Sequence, residues 1–197
     1  SCVGIACYTD NTMSTAPDNT FHQVNLTGGY VFSPKMKLAG GFSYGLNSQD
    51  NRYAPTLIPQ SSGGSFDMMQ AFGLPRSSLD GEVITTHGDL KLSHQTTRDL
   101  MLSVGFKFNE RDNRTTSSTY LYKTLGLEDF TGVNLPYSNS KTQVEAAADY
   151  RVTKGQKLHL GYEHEYIERW CNNVVGGAEC VASPSSNEDK LGITYRI

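Results

Sequence analysis

Seven stretches of the sequence alternate apolar and polar side chains residue by residue, and this period of two limits the fold more than any other feature. The first puts His22, Val24, Leu26, Gly28, Tyr30 and Phe32 on one face, with Gln23, Asn25, Thr27 and Gly29 on the other. The second sets Met36, Leu38, Gly40, Phe42, Tyr44 and Leu46 against Lys37, Ala39, Gly41, Ser43 and Gly45. The same pattern recurs around Ile84–Leu92, Leu100–Phe108, Val144–Val152, Leu158–Tyr166 and Leu191–Ile197. Strict alternation marks strands with one face in an apolar medium and the other in a polar one. Strands are therefore expected at about 20–33, 36–46, 82–94, 100–109, 142–152, 157–169 and 188–197.

The connections alternate as well. Short links fall at Ser33-Pro34-Lys35, Gln95–Asp99 and Thr153-Lys154-Gly155, and long ones at about 47–81, 110–141 and 170–187. Short turns at one end and long loops at the other is the plan of an outer-membrane barrel, whereas loops this long are uncommon in compact soluble domains. The composition agrees. Hydrophobic residues are 37% and charged residues 19%, yet the chain holds 11 Tyr and 8 Phe, too many aromatics for a disordered chain. Aromatics near strand ends (Tyr30, Phe32, Tyr44, Phe106, Phe108, Tyr150, Tyr166, Trp170) fit interfacial girdles, although any strand favours them. The expected fold class is all-β: part of a single antiparallel transmembrane barrel domain over 1–197. Bacterial single-chain barrels have even strand counts of about 8 and upward, so seven strands are expected to be a piece of a larger one.

Several functions are disfavoured. A net charge of −3 without a basic stripe gives nucleic acid no electrostatic footing. No Ser-His-Asp, HExxH or paired-carboxylate arrangement stands out, so an enzyme is not expected. The four cysteines fall into two local pairs, Cys2/Cys7 and Cys171/Cys180, without CxxC or CxxCH spacing. Two disulfide-closed loops in an oxidising compartment are the natural reading; four free thiols are the alternative. Neither a metal nor a cofactor of its own is expected. The acidic loop residues Glu128, Asp129, Glu188 and Asp189 lack EF-hand spacing.

Parity also sorts the candidate site residues. The inward, partner-facing set is Gly29, Ala39, Gly41, Ser43, Gly45, His87, Asp89, Lys91, Gly105, Lys107, Glu145, Asp149, His159 and Gly161. Small side chains let another backbone come close, but relief of crowding in a tilted sheet explains glycines equally well. His87 and His159 fall inward, and His22, His94 and His164 share the apolar parity. All five read as wet polar residues or interfacial anchors before they read as ligands to a partner's haem. Glu163 and Glu165 read as solvated like-charged neighbours.

The stretches DNTFHQVNLTGGYVFSPKMKLAGGFSYGLNSQD (18–50), LPRSSLDGEV (74–83), ERDNRT (110–115) and YRVTKGQKLHLGYEHEYIER (150–169) resemble the MtrB/PioB family of decahaem-associated outer-membrane barrels. The LPRSSLDG and RDN words carry most of the specificity, and the match is to an internal part of the family. What the resemblance implies is a sheath in the Gram-negative outer membrane, long loops outside. A periplasmic decahaem c-type cytochrome would sit in the lumen and meet an extracellular multihaem cytochrome at the loops. The haems would belong to those partners, and lipid and lipopolysaccharide would surround the wall. A general or substrate-specific porin is the alternative. Arg76 and Asp80 within LPRSSLDG are expected to pair across a turn and pin the base of a loop, with an unpartnered surface loop as the plainer possibility.

Overall fold

A computed structural model describes residues 17–53, 74–123, 129–177 and 179–197. Its main element is a seven-stranded antiparallel sheet of β1 (Thr20–Ser33), β2 (Met36–Gln49), β3 (Gly81–Gln95), β4 (Leu100–Asn113), β7 (Tyr137–Arg151), β8 (Lys157–Cys171) and β9 (Ser185–Arg196). Each strand pairs with the next in chain order, the up-and-down meander of a barrel wall. A small hairpin, β5 (Thr119–Lys123) with β6 (Asp129–Val133), interrupts the connection from β4 to β7.

The strands are longer than the alternation indicates, chiefly at the long-loop end. β2 continues to Gln49, β4 to Asn113 and β8 to Cys171, while β7 starts at Tyr137 and β9 at Ser185. Apart from Tyr137 and Trp170-Cys171 these extensions are polar on both faces, as in Glu110-Arg111-Asp112-Asn113, so they carry no alternation to read. The hairpin β5–β6 is a further departure from the expected plain loop at 110–141.

The sheet has almost no apolar core. Among the described residues Ile84, at 7% exposure, is the one buried hydrophobic side chain. Leu26 is 64% exposed, and Val24, Tyr30, Phe42, Leu90, Val104, Phe106, Leu160 and Ile193 also lie open on the same face. Water does not tolerate so large a continuous apolar surface, but lipid does.

The apolar runs drift along the registered sheet. Gly28, at the centre of its run in β1, registers through Gly40, Leu90, Phe106, Val144 and His164 with Asp189 in β9, where the apolar run begins only at Leu191. The drift is close to one residue per strand. With a rise of about 3.3 Å per residue and about 4.8 Å between strands, that is a strand tilt of about 35°, within the range of membrane barrels. The run Met36–Leu46 then spans about 33 Å along β2 and about 27 Å across the membrane, enough for the apolar band.

Short turns close one end. In the β3–β4 turn Thr97 Oγ1 accepts from the amides of Asp99 (3.3 Å) and Leu100 (3.1 Å). In the β7–β8 turn the Val152 amide donates to the Gln156 carbonyl at 2.9 Å.

Candidate functional site

The polar face is built from residues that the ladder places side by side. One row runs Gly29, Ala39, Lys91, Gly105, Glu145, Glu163, Lys190. Beside it on the long-loop side lie Gly41, Asp89, Lys107, Gln143 and Glu165, and then Ser43, His87, Asn109 and Lys141. Gly45 lies one row further, opposite Thr85. On the turn side a row of small residues, Ser103, Ala147, Gly161 and Gly192, is followed by Met101, Asp149 and His159. All fourteen residues expected to face inward therefore share one face of one sheet.

Charges on this face are paired across strands. Lys107 meets Glu145, Lys141 Nζ lies 2.6 Å from Glu165 Oε2, and Lys190 Nζ lies 3.3 Å from Glu163 Oε1. Gln143 Nε2 donates to both Glu163 and Glu165 at 3.2 Å. The two glutamates are thus clamped by donors from both neighbouring strands, in contrast to the solvated pair expected from sequence. Their like charges are adjacent on β8, and cations supplied by β7 and β9 make that adjacency tolerable. His159 Nδ1 pairs with Asp149 at 2.8 Å, and His87 with Asn109 at 2.6 Å and Asp89 at 3.3 Å. On the apolar face His164 and Tyr162 both meet Asp189 Oδ1, at 2.8 and 2.7 Å, where the apolar runs of β8 and β9 give way to polar residues.

The glycines divide into two kinds. A Cβ at Gly45 would lie 2.7 Å from Thr85 Oγ1 and 2.9 Å from the Phe21 ring, and one at Gly41 would lie 2.8 Å from Asp89 Oδ1. Gly45 is hemmed in by its own sheet, whereas at Gly41 the obstruction is the end of the Asp89 side chain. A Cβ at Gly192 would meet nothing closer than 4.0 Å, and one at Gly105 would be in ordinary contact at 3.4 Å. Their smallness leaves open space. That space is a trough of about 390 Å³ floored by Ser103, Gly105, Ala147, Gly161 and Gly192, with Lys91, Glu145, Glu163 and Lys190 along one side and Asp149 and His159 along the other.

The long-loop rim is tied by polar contacts. Arg76 Nη2 lies 2.6 Å from Asp80 Oδ2, and Ser78 donates to Asp80, whose φ of +46° is a conformation aspartate tolerates better than most residues. The hydrogen bond from Ser78, and then the Arg76 charge, hold the Asp80 carboxyl below its usual range. Tyr53 and Tyr120 join two loops by a 2.8 Å hydroxyl contact; burial and then that contact raise the Tyr53 hydroxyl pKa. Cys171 and Cys180 are bonded, and the adjacent Asn172 Nδ2 donates to Asp112 Oδ1 (2.6 Å) and the Asn113 carbonyl (2.8 Å). Ser138, fully buried, accepts from the Asn113 amide (2.8 Å) and from Asn172 Nδ2 (3.3 Å) beneath them. Cys2 and Cys7 lie outside the described residues. Sequence reasoning missed Lys141, Gln143, Asn172 and the Tyr53–Tyr120 pair, because each works through a partner distant in sequence; only the position of Asn172 beside a cysteine offered any signal.

Comparison with known proteins follows the same line. The family model described as a putative outer membrane beta-barrel porin, MtrB/PioB, matches residues 4–197. Outer membrane protein MtrB of Shewanella baltica (strain OS185) is 30% identical over 162 residues, covering 82% of this chain and 21% of that protein. The chain thus spans about a fifth of the length of that relative. Among solved structures, the RagAB peptide importer aligns in its open-open state (TM-score 0.45) and its closed-closed state (TM-score 0.44), each at 12% identity over 90% of this chain and about a quarter of that one.

Proposed function

The chain belongs to the MtrB/PioB family of outer-membrane β-barrel proteins, and from that premise we propose that it forms part of a barrel wall that sheathes a multihaem cytochrome. In this reading a periplasmic c-type cytochrome occupies the lumen and passes electrons to or from an extracellular multihaem cytochrome at the long loops. Short turns face the periplasm and long loops the exterior, as in other barrels of this kind. The chain itself is no enzyme and carries no haem; its sequence contains no CxxCH.

The observation that carries the reading is the trough. Gly105, on β4 with a strand on each side, is not crowded by its own sheet, so its smallness serves whatever lies against the wall. A protein surface can approach the backbone there while Glu163 pairs with Lys190, Asp149 with His159 and Glu145 with Lys107. Charges of both signs open to the same face, half-buried Asp89 and exposed Lys91 among them, favour the second reading, a water-filled porin.

Purification of the full-length barrel from native membranes in mild detergent separates the two. A sheath brings down a haem protein in fixed ratio to barrel, and proteoliposomes reduce a trapped dye from an external donor only when barrel and cytochromes are assembled together. A barrel that purifies without haem and passes small solutes at a porin's rate overturns the sheath.

A further inference from the structure

The short-turn end of the wall is strongly basic. The β1–β2 turn carries Lys35, with Lys37 at the start of β2, the β3–β4 turn Arg98, and the β7–β8 turn Lys154 between Arg151 and Lys157. Arg196 ends β9 at the same level, and against these seven cations Asp99 is the one carboxylate. The whole chain has a net charge of −3, so the cations are concentrated here while the rest is acidic. All seven are exposed.

Register sharpens the point. Arg151 lies directly opposite Lys157, and Lys157 directly opposite Arg196, so three cations stand in one row on the polar face within about 10 Å. Like charges placed opposite one another destabilise a sheet. Higher on the same face like charges also stand opposite one another, Glu145 with Glu163 and Glu165 with Glu188, but there Lys107, Lys141 and Lys190 each meet a glutamate. Among the described residues none of the seven turn-end cations has a carboxylate within ion-pair distance. Asp99 ends this row beside Arg151, whose amide donates to its carbonyl at 2.7 Å, without an ion pair between the side chains; the row keeps a net positive charge at the mouth, complementary to an external anion.

We propose that this end of the wall is a docking rim for a carboxylate-rich surface of the periplasmic protein that enters the barrel, gripped by Arg151, Lys157 and Arg196. The proposal rests on the sheath reading for the identity of that protein. The row lies on the polar face, which favours a protein in the mouth over phospholipid headgroups around the outside. Such a rim speeds capture and sets orientation, and its grip weakens with salt.

The test uses the full-length barrel in nanodiscs of zwitterionic lipid, as wild type, as R151Q/K157Q/R196Q and as R151K/K157R/R196K, with heat-modifiable gel migration confirming folding. The first probe is a fluorescent oligoglutamate of about twenty residues, titrated at about 0.05 M and about 0.3 M salt. The neutral triple variant binds it at least about tenfold more weakly and loses most of the salt dependence, while the charge-conserving triple matches wild type. The second probe is the co-purified haem protein, which washes off the neutral variant at lower salt. Equal peptide binding by wild type and neutral variant overturns the rim, as does a variant whose only change is weaker association with anionic phospholipid vesicles. Absence of haem protein from wild type overturns the sheath reading instead, and the peptide titration still decides whether the rim binds carboxylates.

Discussion

Lys141 Nζ and Glu165 Oε2 lie 2.6 Å apart across the β7–β8 pair, and Glu165, at 8% exposure, is the most enclosed charged residue described on the polar face. Removing the cation leaves a carboxylate with Gln143 and a more distant Lys190 as partners. Breaking such a pair costs more than replacing both members. K141M is expected to lower the urea midpoint of the barrel in vesicles, and K141M/E165Q to recover most of the loss. A double variant no better than K141M shows that the pair contributes nothing to the wall.

The facing of β1 makes a second prediction. Leu26 lies on the apolar face one step from Gly28, the centre of its run, and Thr27 on the polar face opposite Gly41. Arginine at Leu26 should cost about 2–4 kcal/mol in a refolding titration, as at other lipid-facing positions near the midplane, and arginine at Thr27 far less. The reverse order means that the two faces are assigned the wrong way round.

The seven long strands were legible because a wall with lipid on one side and polar surroundings on the other imposes alternation along its whole height. The signal ends where the membrane does. Above that level Arg111 and Asp112 are both polar whichever way they point, so the upper turns of β4 and β7 could not be read. The site was legible at the level of faces and not of contacts. Parity placed Lys107 and Glu145 together, but pairing Lys141 with Glu165 requires the register between two strands. The split between crowded glycines such as Gly45 and open ones such as Gly192 depends on what the neighbouring strand holds.

Asp80 gives a pH dependence. Its carboxyl is held below the ordinary aspartate range by Ser78 and Arg76. The tie is therefore at full strength above the unfolded pKa, about 4, and is lost as pH falls through the lower folded value. Protection at 76–82, taken against the intrinsic exchange rate at each pH, should be high at neutral pH and fall below about pH 4, with the rim of β3 responding before the middle of the strand. D80N keeps the left-handed backbone but removes the charge, so it should exchange fast throughout and lose the pH response.

The Cys171–Cys180 bond closes a loop with a sequence separation of 9. Closure of a loop this short restricts the unfolded chain by about 2–3 kcal/mol in the chain-entropy account. Val175 donates to Ser117 from within this loop, and Asn172 grips the top of β4. C171S/C180S should loosen 112–118 and 172–177 together in hydrogen exchange while β4 below residue 110 stays protected. A non-reduced digest should yield the linked peptides. Alkylation of both thiols without prior reduction would remove the bond and the coupling with it.

The last prediction separates a wall shaped for a partner from one shaped only for itself. Ala147 and Gly192 sit in the floor of the trough, and a Cβ at Gly192 comes no closer than 4.0 Å to the neighbouring β8. A147L/G192L is expected to fill the trough, with heat-modifiable gel migration checking that the barrel still folds. If a protein packs against the floor, the added volume forces it off the backbone. Overpacking a well-fitted contact typically costs about 1–3 kcal/mol, so haem protein retained per barrel should fall by about tenfold or more. Substitution of Gly45 by leucine is the contrasting case. There the obstruction comes from Thr85 and Phe21 of the same sheet, so the expected loss is in folding yield and not in partner retention. Undiminished retention in A147L/G192L would mean that the trough faces water, and the porin reading would then account for the wall better than the sheath.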